Sequence, residues 1–186
     1  QPRSKNAISI ALKILAGTDY RIIPRGGGMA YTGGYTPSTK RSVVVDTSLL
    51  NQILGINPED MYITVEAGCT WKSIYQALKP MGMRLPFFGT NSGSMATVGG
   101  GLSNGALFFG TGKYGSAADN VLGMEVIIAD GTLIKTGQNA FANSKPHHRT
   151  YGPDMTGLFC HDAGSLGIKV QATFPLIYWP KSIDYL

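Results

Sequence analysis

The chain has 186 residues, 43% of them hydrophobic and 15% charged, with a net charge of +5. These values exclude a disordered or collagen-like chain, and its 25 glycines, about twice the average share, point to many tight turns. The basic residues are scattered without a run, which leaves nucleic-acid binding unsupported, and no apolar stretch is long enough to span a membrane.

Cys69 and Cys160 have no metal-ligand spacing around them and read as reduced thiols of a cytoplasmic-type protein, not as a disulfide framework. The opening Gln1-Pro2-Arg3 lacks Met and a signal peptide, as expected of a piece excised from a longer protein.

Ser4 is placed to cap a first helix with Ala7, Ile8, Ala11, Leu12 and Leu15 on its apolar face, ending by Gly17. Tyr20 to Ile23 reads as a strand. It leads into PRGGGMAYTGG at Pro24 to Gly34, where consecutive glycines bare backbone N–H groups and can form a nest for anionic oxygens. Arg25 there either adds a positive charge or braces the turn. Ser42 to Asp46 (SVVVD) reads as a strand buried on both faces, as in a parallel sheet. The apolar run Leu49 to Ile56 leads to a turn at Asn57 to Asp60. Tyr62 to Glu66 alternates as a third strand, and Thr70 caps a helix carrying Trp71, Ile74, Tyr75 and Leu78, ended near Pro80 and Gly82.

A second glycine-rich stretch, GTNSGSMATVGGGLSNG, runs from Gly89 to Gly105. A lone glycine triplet reads as a flexible loop, but two such loops suggest the two sides of an extended phosphate-containing ligand. Beyond it, Val121 to Ala129 is a long strand, Asp130-Gly131 a hairpin turn, and Thr132 to Thr136 the antiparallel return. Asn139 to Tyr151 is a polar excursion, Met155 to Phe159 a helical turn, and Gly167 to Leu176 a closing strand. The fold class is α+β, with a small, mostly parallel lobe over about 1–82 and a larger antiparallel lobe over about 83–180.

Common nucleotide motifs fail. Asn104 stands where GxGxxG needs its last glycine, and around Gly112-Lys113 the P-loop pattern meets Leu107 and Tyr114 at required positions. What fits is an ordered set of blocks: PRGGG with Gly33-Gly34, then VVVD; ATVGGGLSNG; YGSAADNVLGMEVIIADGTLIKTG; and DAGSLGIKVQATFPL. Together these resemble the FAD-binding PCMH-type domain of the vanillyl-alcohol oxidase/p-cresol methylhydroxylase flavoproteins, nearest the glycolate oxidase subunit and D-lactate dehydrogenase branch.

The resemblance implies a two-lobed domain over 1–180 holding FAD, with 181–186 starting a linker to a separate substrate domain. Arg25, Gly26, Gly27, Gly28 and Met29, with Gly33 and Gly34 close by, would hold the pyrophosphate. Gly89, Thr97, Val98, Gly99, Gly100, Asn104 and Gly105 would line the other side. Gly167 and Ile168 would touch the cofactor through the main chain. It also implies oxidation of a small-molecule 2-hydroxy acid by hydride transfer to FAD, with an unassigned electron acceptor, an unassigned base and peripheral membrane attachment left open. Alternatives are a UDP-N-acetylenolpyruvoylglucosamine reductase-type flavoenzyme and a non-catalytic nucleotide-binding module.

Two departures stand out. Met29 replaces the usual Ser or Thr after the triplet, and Asp162-Ala163 replaces the usual Ser-Glu. Where some relatives attach flavin through His or Cys, this chain has Met29 and Met95, so non-covalent FAD is expected. His147 and His148 read as solvated, His161 as hydrogen-bonded at a helix end, and Asp119 as a turn cap. Tyr114 and the pairs Phe87-Phe88 and Phe108-Phe109 suit either the flavin edge or the core. No metal site is expected.

Overall fold

The computed structural model describes residues 1–87, 92–146, 148–150 and 152–180. The chain opens with α1 (Lys5–Leu15), where the Ser4 hydroxyl accepts the Ala7 N–H at 3.2 Å, as its spacing predicts. Strands β1 (Arg21–Arg25) and β2 (Ser42–Asp46) then pair in parallel. Only Val45 of SVVVD is fully buried, because this parallel sheet has two strands and leaves Val43 and Val44 half-covered.

A five-stranded antiparallel sheet forms the larger layer, in the order β3 (Ile53–Asn57), β4 (Tyr62–Glu66), β8 (Ile168–Pro175), β6 (Gly123–Ile127), β7 (Leu133–Lys135). Two findings differ from the sequence reading. Ile53–Asn57, read as an approach to a turn, is an edge strand whose bulge near Gly55 obscures its alternation. The strand Tyr62–Glu66 pairs with β8, more than one hundred residues on, so the large sheet recruits chain from before position 82. The hairpin at Asp130-Gly131 forms as its dipeptide predicts.

Helix α2 (Trp71–Leu78), capped by the Thr70 hydroxyl on the Ser73 N–H at 3.1 Å, packs beside α3 (Val98–Ser103) against the sheet. Helix α3 forms in spite of the glycines in VGGGLS. Thr97 caps it, and Val98 and Leu102 are anchored in the core. Two short helices, α4 (Thr111–Tyr114) and α5 (Ala117–Asn120), follow. Asp119 completes a capping box with Ser116, the turn-cap role read for it. A last helix, α6 (Met155–Leu158), precedes β8, and β5 (Met83–Arg84) pairs with β9 (Ile177–Tyr178).

Strand β8 belongs to both cores. Ala172 and Phe174 pack with Trp71, Phe87 and Phe108 under α2 and α3, while Ile168 and Val170 pack with Ile8 and Leu12 of α1 and Val45 of β2. The start of β8 therefore lies where the two sheets meet, and the cleft opens there. Among the described residues no helix is long and apolar enough to cross a membrane.

Candidate cofactor site

A cleft of about 500 Å³ runs between the two glycine-rich loops, within the range of roughly 300–1,000 Å³ usual for small-molecule sites. Its first wall begins where β1 ends at Arg25. The Gly27 N–H donates to the Thr97 hydroxyl at 3.3 Å, and a Cβ on Gly27 would collide with the Met95 carbonyl oxygen. Glycine is needed here for the two loops to touch. At Gly28 the reason differs: φ is +67°, and the Arg25 guanidinium lies beneath it, 3.1 Å from where a Cβ would stand. The N–H groups of Gly26, Gly28, Met29 and Ala30 have no protein partner among the described residues. Unpaired main-chain donors in a concavity form a nest for an anion.

The second wall is α3. Its first-turn N–H groups are already used: Val98 bonds the Cys69 carbonyl (2.9 Å), Gly99 the Ala67 carbonyl (2.8 Å) and Gly100 the Thr97 hydroxyl (3.4 Å). The helix thus gives the cleft a smooth glycine face and no first-turn donors. A Cβ on Gly101 would stand 2.8 Å from Trp71 Cζ2, so that glycine lets the indole pack beneath the helix.

The third wall is the turn before β8. His161, Ala163 and Gly164 all have positive φ, and the Asp162 carboxylate holds the turn by accepting the Gly164 N–H (2.9 Å), the Leu166 N–H (3.3 Å) and Lys169 Nζ (2.7 Å). The N–H groups of His161 and Ala163 bond Leu102 and Ser103 carbonyls, tying the turn to α3. Asp162, a departure from the expected Ser-Glu, is the organiser of this turn.

Arg25, Gly26, Gly27, Gly28, Met29, Gly34, Thr97, Gly99, Gly100, Asn104, Gly167 and Ile168 are brought together around the cleft. Gly33, Val98 and Gly105 stand apart from its wall: Gly33 in a loop turn, Val98 fully buried in the core, and Gly105 against the His161 ring. Gly89 lies outside the described residues. Sequence reasoning missed Trp71, which it gave to a helix core, and Lys169, which it gave to a plain closing strand; both reach the wall.

Of the remaining candidates, Phe87 stacks on Phe108 at 5.1 Å in the core, and Phe108 also reaches the cleft, whereas Phe109 is exposed. Tyr114 lies under the Arg84 guanidinium and away from the wall. His148 is exposed, and Phe88 and His147 lie outside the described residues. Cys69 and Cys160 are free and buried. Among the described residues no group of three or more metal-ligating side chains occurs.

The chemistry of the cleft suits FAD: free N–H groups and cations for a pyrophosphate, and apolar side chains such as Trp71, Leu107 and Phe108 for a ring system. The fold and cleft together define an α+β domain that binds an extended nucleotide cofactor. The FAD binding domain family matches residues 1–137, and the chain belongs to that family. It is 28% identical to D-lactate dehydrogenase [cytochrome] 1, mitochondrial, of Saccharomyces cerevisiae, covering 97% of this chain and 30% of that protein. It is 32% identical to glycolate oxidase subunit GlcD of Bacillus subtilis (97% of this chain, 37% of the relative) and 27% identical to D-2-hydroxyglutarate dehydrogenase, mitochondrial, of Bos taurus (90% and 29%). The chain thus spans about a third of the length of these relatives. Among solved structures, alkyldihydroxyacetonephosphate synthase superposes with a TM-score of 0.82 at 21% identity, over 97% of this chain and 31% of that one. Berberine bridge enzyme does so with 0.78 at 25% identity, over 96% and 33%.

Proposed function

We propose that this chain is the cofactor-holding part of an FAD-dependent oxidoreductase acting on a small 2-hydroxy acid, with FAD held non-covalently in the cleft. The observation that carries this reading is the nest at Gly26 to Ala30, in a wall whose charged side chains are all cationic among the described residues. Bound there, FAD would supply the two-electron acceptor. The residues of the chain do the rest. The free N–H groups and Arg25 bind the pyrophosphate, the contact between Gly27 and Thr97 keeps the two loops in register, and Trp71 and Phe108 exclude water from the apolar part. Met29 and Met95 stand where relatives carry attachment residues, and neither side chain can form such a bond, which supports non-covalent binding.

The 2-hydroxy acid rests on the names of the relatives. The described wall contains no His and no carboxylate to take the substrate hydroxyl proton. On this reading the proton acceptor and the substrate pocket lie on a separate substrate domain, as the family resemblance implies. The test is anaerobic flavin bleaching by D-lactate, glycolate and D-2-hydroxyglutarate, comparing this chain loaded with FAD against the full-length product of its gene. Fast bleaching by the full-length product alone supports the reading. Fast bleaching by the chain alone places the base within these residues. No bleaching in either removes the 2-hydroxy acid from the account.

A further inference from the structure

Among the described residues that wall the cleft, only Arg25 and Lys169 carry a formal charge, and both are cations. Lys169 is unusual in being buried. Its side chain is 2% exposed, as is that of Asp162, with Nζ 2.7 Å from Asp162 Oδ1. The pair is asymmetric in two respects. Lys169 contributes to the cleft wall and Asp162 does not. The carboxylate is bonded by Lys169 and by the N–H groups of Gly164 and Leu166, whereas Asp162 is the one hydrogen-bond partner of the ammonium among the described residues. An ammonium has three donors.

A buried charge with unused donors is costly unless something of opposite sign stands near. Burial, the largest influence, pushes the Lys169 pKa down, and Asp162 only partly opposes it. The turn bearing Asp162 also abuts the first loop, since a Cβ on Gly164 would stand 3.3 Å from the Pro24 ring, next to Arg25. The two cations thus belong to adjoining walls, with the nest of free N–H groups beside them.

We propose that Lys169 is a cofactor-binding residue, whose buried ammonium acts with Arg25 and the Gly26 to Ala30 nest to hold the anionic pyrophosphate of FAD. This rests on the reading that FAD occupies the cleft. Lys169 is thereby distinguished from a plain structural ion pair, in which both charges serve only to hold the turn.

The test removes both charges at once. Lys169→Met alone would strand a buried carboxylate, whereas the double variant D162N/K169M leaves an amide oxygen for the Gly164 N–H, and neutral replacement of a buried pair is often tolerated. Melting temperature without ligand and calorimetric affinity for FAD and for ADP, which shares the pyrophosphate, are measured beside Gly27→Val. The expected result is a melting temperature near that of the parent, with FAD and ADP each weakened by about tenfold or more. If the double variant binds both ligands as the parent does while Gly27→Val loses them, the cleft reading stands and the role of Lys169 is overturned. If neither variant weakens FAD, the cleft reading itself fails. A readout on the unmodified protein needs no variant: the Lys169 Cε–Nζ resonances should shift when ADP is added, and an unmoved signal under saturating ADP contradicts the proposal.

Discussion

The Gly27 N–H donates to the Thr97 hydroxyl at 3.3 Å, joining residues 70 apart in the chain. The same oxygen accepts the Gly100 N–H at 3.4 Å and so caps α3. One side chain therefore fixes both the start of a helix and the spacing of the two loops.

Thr97→Val removes both bonds while keeping the shape. Loss of the cap costs about 1 kcal/mol, and the orphaned Gly27 N–H about 1–3 kcal/mol more. At roughly 2–4 °C per kcal/mol for a chain of this size, the melting temperature should fall by roughly 4–16 °C, with FAD weakened in parallel. Thr97→Ser should restore most of both in the same assays.

Gly27 and Gly28 should respond differently to alanine. At Gly27 the new Cβ meets the rigid Met95 carbonyl and drives the loops apart, so Gly27→Ala should lose FAD by a hundredfold or more and lower stability. At Gly28 the neighbour is a movable Arg25 side chain and the obstacle is the φ of +67°, which costs about 1–2 kcal/mol. Titration with FAD and thermal melts of the two variants should rank them in that order.

Much of this was legible in the chain itself. The Ser4 and Thr70 caps, the Asp130-Gly131 hairpin and the SVVVD strand rest on local rules, and they formed. The glycine loops marked two walls of the cleft for the same reason. What local rules could not give was pairing across distance: Ile53–Asn57 is a strand only because β4 lies beside it, and α3 is a helix only because Val98 and Leu102 are buried and Thr97 caps it. Lys169 was invisible because its partner, Asp162, sits in a turn whose positive φ values no periodicity reports.

The two thiols should be inert in the folded protein. Cys69 is 0% exposed, and burial pushes its pKa up to about 11, while burial also raises that of Cys160. Reactivity requires the thiolate. Iodoacetamide at pH 8 should leave the native chain unmodified and label both cysteines after unfolding, as read by mass spectrometry.

Acid should destabilise the second half of the chain. Hydrogen bonds from Ser116 hold the Asp119 pKa below its ordinary 3.8. For Asp154, burial raises the pKa, but hydrogen bonds from Arg149 and the Gly157 N–H outweigh it and leave the pKa lowered. A depressed carboxylate adds stability above its unfolded value, and that stability is lost as pH falls through the folded value. Stability should therefore drop below about pH 4, and Asp119→Asn should flatten the decline in urea melts taken between pH 5 and 2.

The central claim is that FAD lies between the Gly26 to Ala30 nest and the turn before β8. Amide hydrogen exchange with and without FAD tests it most directly. Exchange should slow with FAD in peptides covering 24–31 and 162–169, at one FAD per chain. FAD bound at that stoichiometry with exchange in both segments unchanged would contradict it.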